Sequence, residues 1–243
     1  MKLVFKLTAA LLLLLSAQSQ ALAQGATEAL NSTLLKLFGK QDNFIVDSEF
    51  QLLNDNGAMA ITMNLSIAVS EGKMRAEADM STATGPSIDA QYLLATKQAG
   101  IDRVTSIIRQ DKGRIYAIYP ARRSYQDAAL PAILSVPSAK IKTDKTPLGK
   151  EKIDGHLCVK NKVLLTDEKG GKQELTTWEA ADMKDFPLMV KLADTSGSWV
   201  IHNRNVRFAK ADAAQFEVPA GYTKMAQPAQ PAPSATPAQP VKK

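Results

Sequence analysis

The segment AMAITMNLSIAV, residues 58 to 69, decides the fold class of this chain. All of its odd positions are apolar, and its even positions carry alanine or small polar side chains. The odd positions are Met59, Ile61, Met63, Leu65, Ile67 and Val69. Because successive side chains of a strand point to opposite faces, this alternation predicts a long β-strand with one apolar face.

The segments on both sides of this strand continue the pattern. Before it, NDNG at 54–57 is typical of a hairpin turn, and after it SEG at 70–72 predicts a second turn. The strand KMRAEADM follows, with Met74 and Met80 on its apolar side. The strand before the first turn has a matching apolar face, which consists of Phe44, Val46, Phe50 and Leu52. Three strands joined by tight turns indicate an antiparallel meander.

The remainder of the chain predicts more strands and a few helices. The stretch RIYAIYP is apolar on both faces, which is typical of a strand in the middle of a sheet. Helices are expected at 26–40, at 87–98 and shortly before Pro137. Further strands are expected at 104–109, 114–120, 122–125, 156–166, 173–180, 187–193 and 198–208. The fold class is therefore α+β, a long, curved antiparallel sheet with a few helices against its apolar face.

Both ends of the chain differ in composition from its middle. Lys2 and Lys6 flank the start of an apolar run, and Ala21-Leu22-Ala23 offers an A-x-A cleavage site, which together predict a signal peptide over 1–23. Residues 226–243 repeat Pro, Ala and Gln, which predicts a disordered tail or extended spacer. We expect one domain over 24–225, exported to the periplasm, with no transmembrane segment after cleavage.

Charge gives little support for nucleic-acid binding. The chain has 30 basic and 24 acidic residues, a formal net charge of +6. Without the four lysines of the predicted signal peptide and the tail end, the balance is 26 − 24 = +2. A single cysteine cannot form an internal disulfide, so stability has to come from a hydrophobic core.

The stretch IDGHLCVK, residues 153 to 160, holds the only cysteine and one of the two histidines. In the predicted strand the odd residues are apolar, so His156 and Cys158 are expected to point into solvent beside Lys160 and Lys162. The lysines repel a cation, and a zinc site needs three or four ligands. A Cys–His nucleophile needs an orienting third group. The sequence thus favours a solvated strand, with no catalytic residue and no metal.

Motifs of known enzyme classes are absent from the sequence. It contains no G-x-S-x-G, H-E-x-x-H, P-loop or dinucleotide fingerprint. We therefore expect a protein that is not an enzyme and needs no cofactor. Trp178 and Trp199 are expected in the core, and Arg122-Arg123 on a solvated turn.

Several stretches in order resemble a family of exported bacterial proteins, domain of unknown function 4412. They are TPLGKEKIDGHLCVKNKV, TTWEAADMKDFPLMVKL and NVRFAKADAAQFEVPAGYTKM, preceded by AGIDRVTSIIRQDKGRIYAIYPARRSY. That family is similar to the LolA/LolB-like superfamily. The resemblance implies an unclosed antiparallel half-barrel with helices on its concave face, and a carrier of lipoprotein acyl chains as the functional analogy.

The apolar face and the resemblance together suggest a lipid-binding function. The expected lining of the site is Met59, Ile61, Met63, Leu65, Ile67, Met74 and Met80, and the expected polar residues at its mouth are Arg122, Tyr125 and His202. A sheet face rich in Met and Ile more commonly belongs to a core that packs against the protein's own helices. The alternative function is an envelope module that binds another protein and no small molecule.

Overall fold

A computed structural model describes residues 41–54, 56–130, 142–166, 170–194 and 197–225. These residues form one sheet of twelve strands and one α-helix, α1 at Ala90–Gln98. The first six strands are β1 Asn43–Leu53, β2 Met59–Ser70, β3 Lys73–Asp79, β4 Arg103–Arg109, β5 Arg114–Tyr119 and β6 Ser124–Ala129. The others are β7 Lys142–Ile153, β8 His156–Thr166, β9 Lys172–Ala180, β10 Phe186–Asp194, β11 Gly197–Arg207 and β12 Thr223–Lys224.

The sheet consists of two meanders joined through the pair of β1 with β11. Its strand order is β12-β6-β5-β4-β3-β2-β1-β11-β10-β9-β8-β7. All pairs are antiparallel except the short parallel contact of β12 with β6. The two ends of the order, β12 and β7, do not pair with each other, so the sheet is unclosed. This large, curved, mostly antiparallel sheet with few helices confirms the predicted sheet architecture.

The predicted meander of β1, β2 and β3 is confirmed. β2 ends at Ser70 and β3 begins at Lys73, so the turn consists of Glu71 and Gly72. Both turn residues have positive φ, 52° and 74°, as the tight turn of a twisted hairpin requires. The helix predicted at 87–98 is confirmed as α1, which begins after Asp89 because that carboxylate accepts from the amides of Gln91 and Tyr92.

We call the side of the sheet that carries the apolar residues of β2 the inner face. Directly paired residues share a face, so Phe44, Val46 and Phe50 of β1 lie there, opposite Val69, Ile67 and Met63. The buried cluster extends through Met74 of β3, Val190 and Leu192 of β10, and Trp199 and Ile201 of β11. Tyr92 and Leu93 of α1 pack against this cluster.

The outer face is covered in part by the C-terminal segment, residues 209–225. Phe216 of this segment is 1% exposed and packs with Ala68, Ile107 and Ile118 of the sheet. Arg109 holds the segment by donating to the carbonyl oxygen of Phe216 and by an ion pair with Glu217. The sheet therefore has an apolar cluster on each side. This agrees with the prediction for β5, because RIYAIYP carries apolar side chains on both faces.

Two features of the fold differ from the sequence prediction. Residues 142–153 form the twelve-residue edge strand β7, which has no apolar period because Lys142 to Lys152 are all exposed. Asp154 and Gly155, to which the sequence prediction also applies the strand alternation of IDGHLCVK, form the turn between β7 and β8 with φ of 48° and 90°. The helices expected at 26–40 and before Pro137, the signal peptide and the tail lie outside the described residues.

Candidate functional site

The centre of the inner face is built by aromatic and methionine side chains of adjacent strands. Met63 of β2 lies opposite Phe50 of β1, which lies opposite Ile201 of β11. The Phe50 ring stacks on Trp199 with 6.3 Å between the ring centroids and 28° between the planes. Both tryptophans of the chain are buried, as expected for core positions. The inner face thus carries a buried apolar cluster that extends across the junction of the two meanders.

Most residues predicted to line a ligand site lie on the inner face and differ in burial, but Met59 does not share that face, because it pairs with Leu53 beyond a register shift. Leu65 is half-buried against the main cluster. Met59, at the start of β2, is 43% exposed. The other five, Ile61, Met63, Ile67, Met74 and Met80, are buried in the cluster. Ile61, Met63, Leu65 and Ile67 follow the predicted alternation, whereas the prediction is wrong for Met59, which the register shift takes off this face. The role of the set in binding a ligand stays a prediction.

A strap of residues 80–88 covers the first half of β2, where β3 has already ended. Thr84 pairs with Thr62 through two backbone hydrogen bonds of 2.8 and 2.9 Å. The amide of Ser87 donates to the carbonyl oxygen of Ala60 at 3.2 Å. Gly85 lies against the same carbonyl with φ of 132°. The strap thereby fixes Met80 and Ala83 in the inner-face cluster.

Polar side chains buried on the inner face bond to one another. Ser48 Oγ of β1 donates to Asn203 Oδ1 of β11 at 2.7 Å. Asn203 Nδ2 in turn donates to the carbonyl oxygen of Pro187 at 2.7 Å. Buried polar groups cost stability unless they are hydrogen-bonded, and this chain of bonds satisfies them. The pair also links the two meanders.

A charged pair lies towards the β7 edge of the same face. Glu179 of β9 has a side chain that is 10% exposed, and it forms an ion pair with Lys145 of β7. Thr177 Oγ1, fully buried, donates to Glu179 Oε1 at 2.9 Å. The carboxylate is thus neutralised and hydrogen-bonded, so this end of the face is polar without an unpaired charge at Glu179.

The three polar residues expected at a cavity mouth are far apart in the sheet. Arg122 is exposed on the turn after β5. Tyr125 lies on β6 next to Tyr116, and His202 lies on β11. Five strands separate β6 from β11, and the register places Tyr125 and His202 on the outer face. The structure does not bring the three residues together. Arg122 and Arg123 occupy a solvated turn, as expected.

The prediction that Cys158 points into solvent is wrong. Cys158 is fully buried and pairs with Ala180, which is also fully buried. Cys158 and Lys162 lie on the same face of β8. That face is exposed at Lys162, but at the hairpin end it packs against the body of the protein and buries Cys158. Burial raises the pKa of the Cys158 thiol, which disfavours the reactive thiolate.

Both histidines bond to aspartates around this hairpin end. His156 Nδ1 lies 2.7 Å from Asp182 Oδ2, in the turn after β9. His202 Nε2 lies 2.7 Å from Asp154 Oδ2, in the β7–β8 turn. The two contacts tie the hairpin to β11 and to the β9–β10 connection. Within the described ranges, no group of three or more His, Cys, Asp or Glu side chains could hold a metal ion.

Comparisons with known proteins find similar structures but no similar sequence. No protein-family model matches, so the resemblance to domain of unknown function 4412 is not confirmed, and no curated protein matches. Similar structures include the lipoprotein LppX of Mycobacterium tuberculosis, with 10% identity over 74% of this chain and 92% of that chain and a TM-score of 0.38. A LolA superfamily protein of Nitrosomonas europaea has 10% identity over 78% and 97%, with a TM-score of 0.35.

A third similar structure is MucB of Pseudomonas aeruginosa, solved in complex with MucA. It has 14% identity over 81% of this chain and 62% of that chain, with a TM-score of 0.39. All three TM-scores lie below 0.5. No helix among the described residues has the length and apolarity needed to cross a membrane.

Proposed function

We propose that the protein binds the acyl chain of a lipid or lipid-like molecule against the inner face of its sheet, without catalysing a reaction. The observation that carries this proposal is the apolar cluster that β1, β2, β3, β10 and β11 share on the inner face. Its centre combines the flexible Met63 with the Phe50–Trp199 stack. Methionine side chains adapt to ligands of irregular shape, which suits an acyl chain.

The polar groups near this surface favour an apolar guest. Ser48 and Asn203 bond to each other, and Glu179 bonds to Lys145 and Thr177. These paired groups offer few free partners to a polar ligand. An apolar chain needs none, since each methylene removed from water contributes about 0.8 kcal/mol to binding. The chemistry of the face therefore selects for hydrocarbon.

The proposed ligand agrees with the proposed location. The signal-peptide anatomy of residues 1–23 suggests export, and an exported protein of the envelope meets lipids and the acyl chains of lipoproteins. We propose that the apolar chain lies between the sheet and helices on its concave side, in the half-barrel arrangement suggested by the sequence resemblance. The lining residues in this proposal are those predicted on β2 together with Met74 and Met80.

A fluorescent fatty-acid probe tests the proposal on the purified protein. Leu65→Trp adds bulk at a half-buried position of the inner face, so we expect it to weaken probe binding about tenfold. Ser66→Trp is the matched control, because Ser66 is the next residue of β2 and is exposed on the opposite face. Thermal unfolding of both variants verifies that they fold.

The outcomes are distinct. Saturable probe binding that Leu65→Trp weakens and Ser66→Trp leaves within twofold supports a site on the inner face. Binding that both variants leave unchanged places the probe elsewhere and rejects the proposed lining. If the wild-type protein binds no fatty-acid probe, the acyl-chain proposal is rejected.

The second candidate function is a protein-binding module, and β7 is the observation that favours it. This strand is twelve residues long and exposed, and it is the last strand of the sheet, so one side of its backbone pairs with no strand in the part of the chain that the structure describes. An extended peptide can add to such an edge by backbone hydrogen bonds. Crosslinking in the envelope, with photoreactive residues placed in β7, should then trap one defined partner. Deletion of residues 226–243 should weaken capture if the tail presents the module.

A further inference from the structure

We infer that the tip of the β7–β8 hairpin, residues 150–159, docks on an anionic lipid bilayer surface. The inference rests on how the hairpin separates its side chains between two faces. Leu157 lies directly opposite Lys152, and Val159 lies opposite Lys150, so these four residues share one face of the hairpin. Leu157 is 58% exposed, and both lysines are exposed.

The other face of the tip is packed against the protein. Cys158 is fully buried, and Ile153 packs on the main hydrophobic cluster. His156, opposite Ile153, bonds to Asp182. The hairpin is therefore held in place with one face turned to the body and the Leu157 face turned to solvent.

The charged side chains of the tip are divided between the same two faces. The tip contains two carboxylates, and both are engaged on its packed side. Glu151 accepts from Lys160 at 2.8 Å and from the Trp178 indole at 2.6 Å, and these partners lower the pKa of Glu151. Asp154 bonds to His202. Lys150 and Lys152, in contrast, have no side-chain partner among the residues that the structure describes.

A solvent-exposed leucine beside two unpaired lysines has the chemistry of a bilayer-surface contact. The lysines attract anionic headgroups, and the leucine enters the boundary between headgroups and acyl chains. A second exposed leucine, Leu148 at 54%, lies at the β-bulge of β7 close to the tip. A two-stranded tip offers too small an area for a stable protein interface, which typically buries about 1,200 Å² or more. Insertion at a bilayer needs only a few side chains.

Vesicle flotation with the processed, exported protein tests the inference without any bound ligand. We expect binding to vesicles that contain phosphatidylglycerol and none to pure phosphatidylcholine. Each lysine near an anionic surface changes affinity by about fivefold, so Lys150→Gln with Lys152→Gln should weaken binding about 25-fold. The matched charge control is Lys172→Gln with Lys191→Gln, two exposed lysines on other strands.

The contribution of Leu157 to vesicle binding is tested with a separate control. Leu94 on α1 is 56% exposed, close to the value for Leu157, so Leu94→Ser removes a similar exposed side chain elsewhere. We expect Leu157→Ser to weaken vesicle binding about fivefold and Leu94→Ser to leave it unchanged.

Three results would overturn the inference. They are no binding to phosphatidylglycerol vesicles, equal losses from the two lysine pairs, and loss from the lysine pair without loss from Leu157→Ser. The last result indicates attraction to acidic groups in general, as on an acidic protein. The acyl-chain proposal does not depend on this experiment, because fatty-acid binding is measured in the absence of vesicles.

Discussion

Gly85 lies in the strap over β2, in a conformation and at a contact that only glycine tolerates. Its φ is 132°, and a Cβ atom there would overlap the carbonyl oxygen of Ala60. The neighbouring atoms belong to the backbone of β2, so they cannot move aside as a flexible side chain can. The strap depends on this close approach to hold Met80 and Ala83 on the inner face.

Substitution of Gly85 should therefore destabilise the protein strongly. We expect Gly85→Ala to lower the free energy of unfolding by about 3 kcal/mol, through steric overlap and an unfavourable φ. Gly113→Ala is the control, since Gly113 also has a positive φ, 59°, but a Cβ added there would meet no atom within 4 Å. It should cost only about 1 kcal/mol. Urea unfolding measures both, and equal losses would show that the strap contact is unimportant.

The lowered pKa of Asp111 predicts how the stability of the protein depends on pH. Its hydrogen bonds with Arg109 lower the pKa of Asp111 from 3.8 to about 2. A carboxylate whose pKa is lower in the folded state stabilises the fold above its unfolded pKa. That contribution is lost as the pH falls from about 4 to about 2.

The comparison of wild type with Asp111→Asn isolates this group. The stability difference between the two should be constant above about pH 5 and should shrink towards pH 2. Asp144→Asn is the control for the loss of an exposed carboxylate, because Asp144 of β7 forms its ion pair with the solvent-exposed Lys142. A wild-type to Asp111→Asn difference that does not vary with pH in unfolding titrations contradicts the assigned role of Arg109.

At the scale of elements, the C-terminal segment is a structural part of the sheet's outer side. Phe216 fills the cluster of Ala68, Ile107 and Ile118, and Arg109 and Lys112 bind Glu217 beside it. Arg75 also donates to the carbonyl oxygen of Gln215 at 2.9 Å. The segment thus covers an apolar patch that β4 and β5 would otherwise expose.

Truncation of Phe216 should measure this role. Phe216→Ala should lower the free energy of unfolding by about 3–5 kcal/mol, the usual cost of emptying a fully buried phenylalanine site. Val218→Ala, in the half-buried rim of the same cluster, should cost about 1 kcal/mol. If denaturant unfolding gives equal small losses for both, the segment does not contribute to the core.

Elements differ in how well the sequence reveals them. β2 was predictable because one face is buried and the other is polar, so burial leaves a period of two in the sequence. β7 was not, because an edge strand exposed on both faces needs no apolar side chains. Lysines, a proline and a β-bulge are common in edge strands. Such residues are also typical of loops.

Contacts between distant segments limited the prediction of the candidate site. The bond of Ser48 with Asn203 joins residues 155 positions apart, and nothing local in either strand indicates the pairing of β1 with β11. The same limit applies to Cys158, whose burial results from packing of the hairpin end rather than from the period of β8. The sequence indicated that Met63 and its neighbours share a face, but not which strands complete that face.

At the scale of the whole molecule, the described residues form one unclosed sheet, and we propose that its inner face holds hydrocarbon. The charged groups are distributed in agreement with this proposal. Arg109, Asp111 and Glu217 fix the outer side, while buried polar residues of the inner side bond to each other. An acyl chain on the inner face therefore meets apolar side chains without having to break the outer ion pairs.

Native mass spectrometry of the protein isolated from its own envelope, without detergent, tests this claim most directly. We expect a fraction of the protein to carry additional mass that dissociates on activation and is identified as lipid or fatty acid. Leu65→Trp should reduce that fraction, and Ser66→Trp should retain it. Only the mass of the free polypeptide, in the wild type and in both variants, would contradict the proposal that the inner face binds an acyl chain.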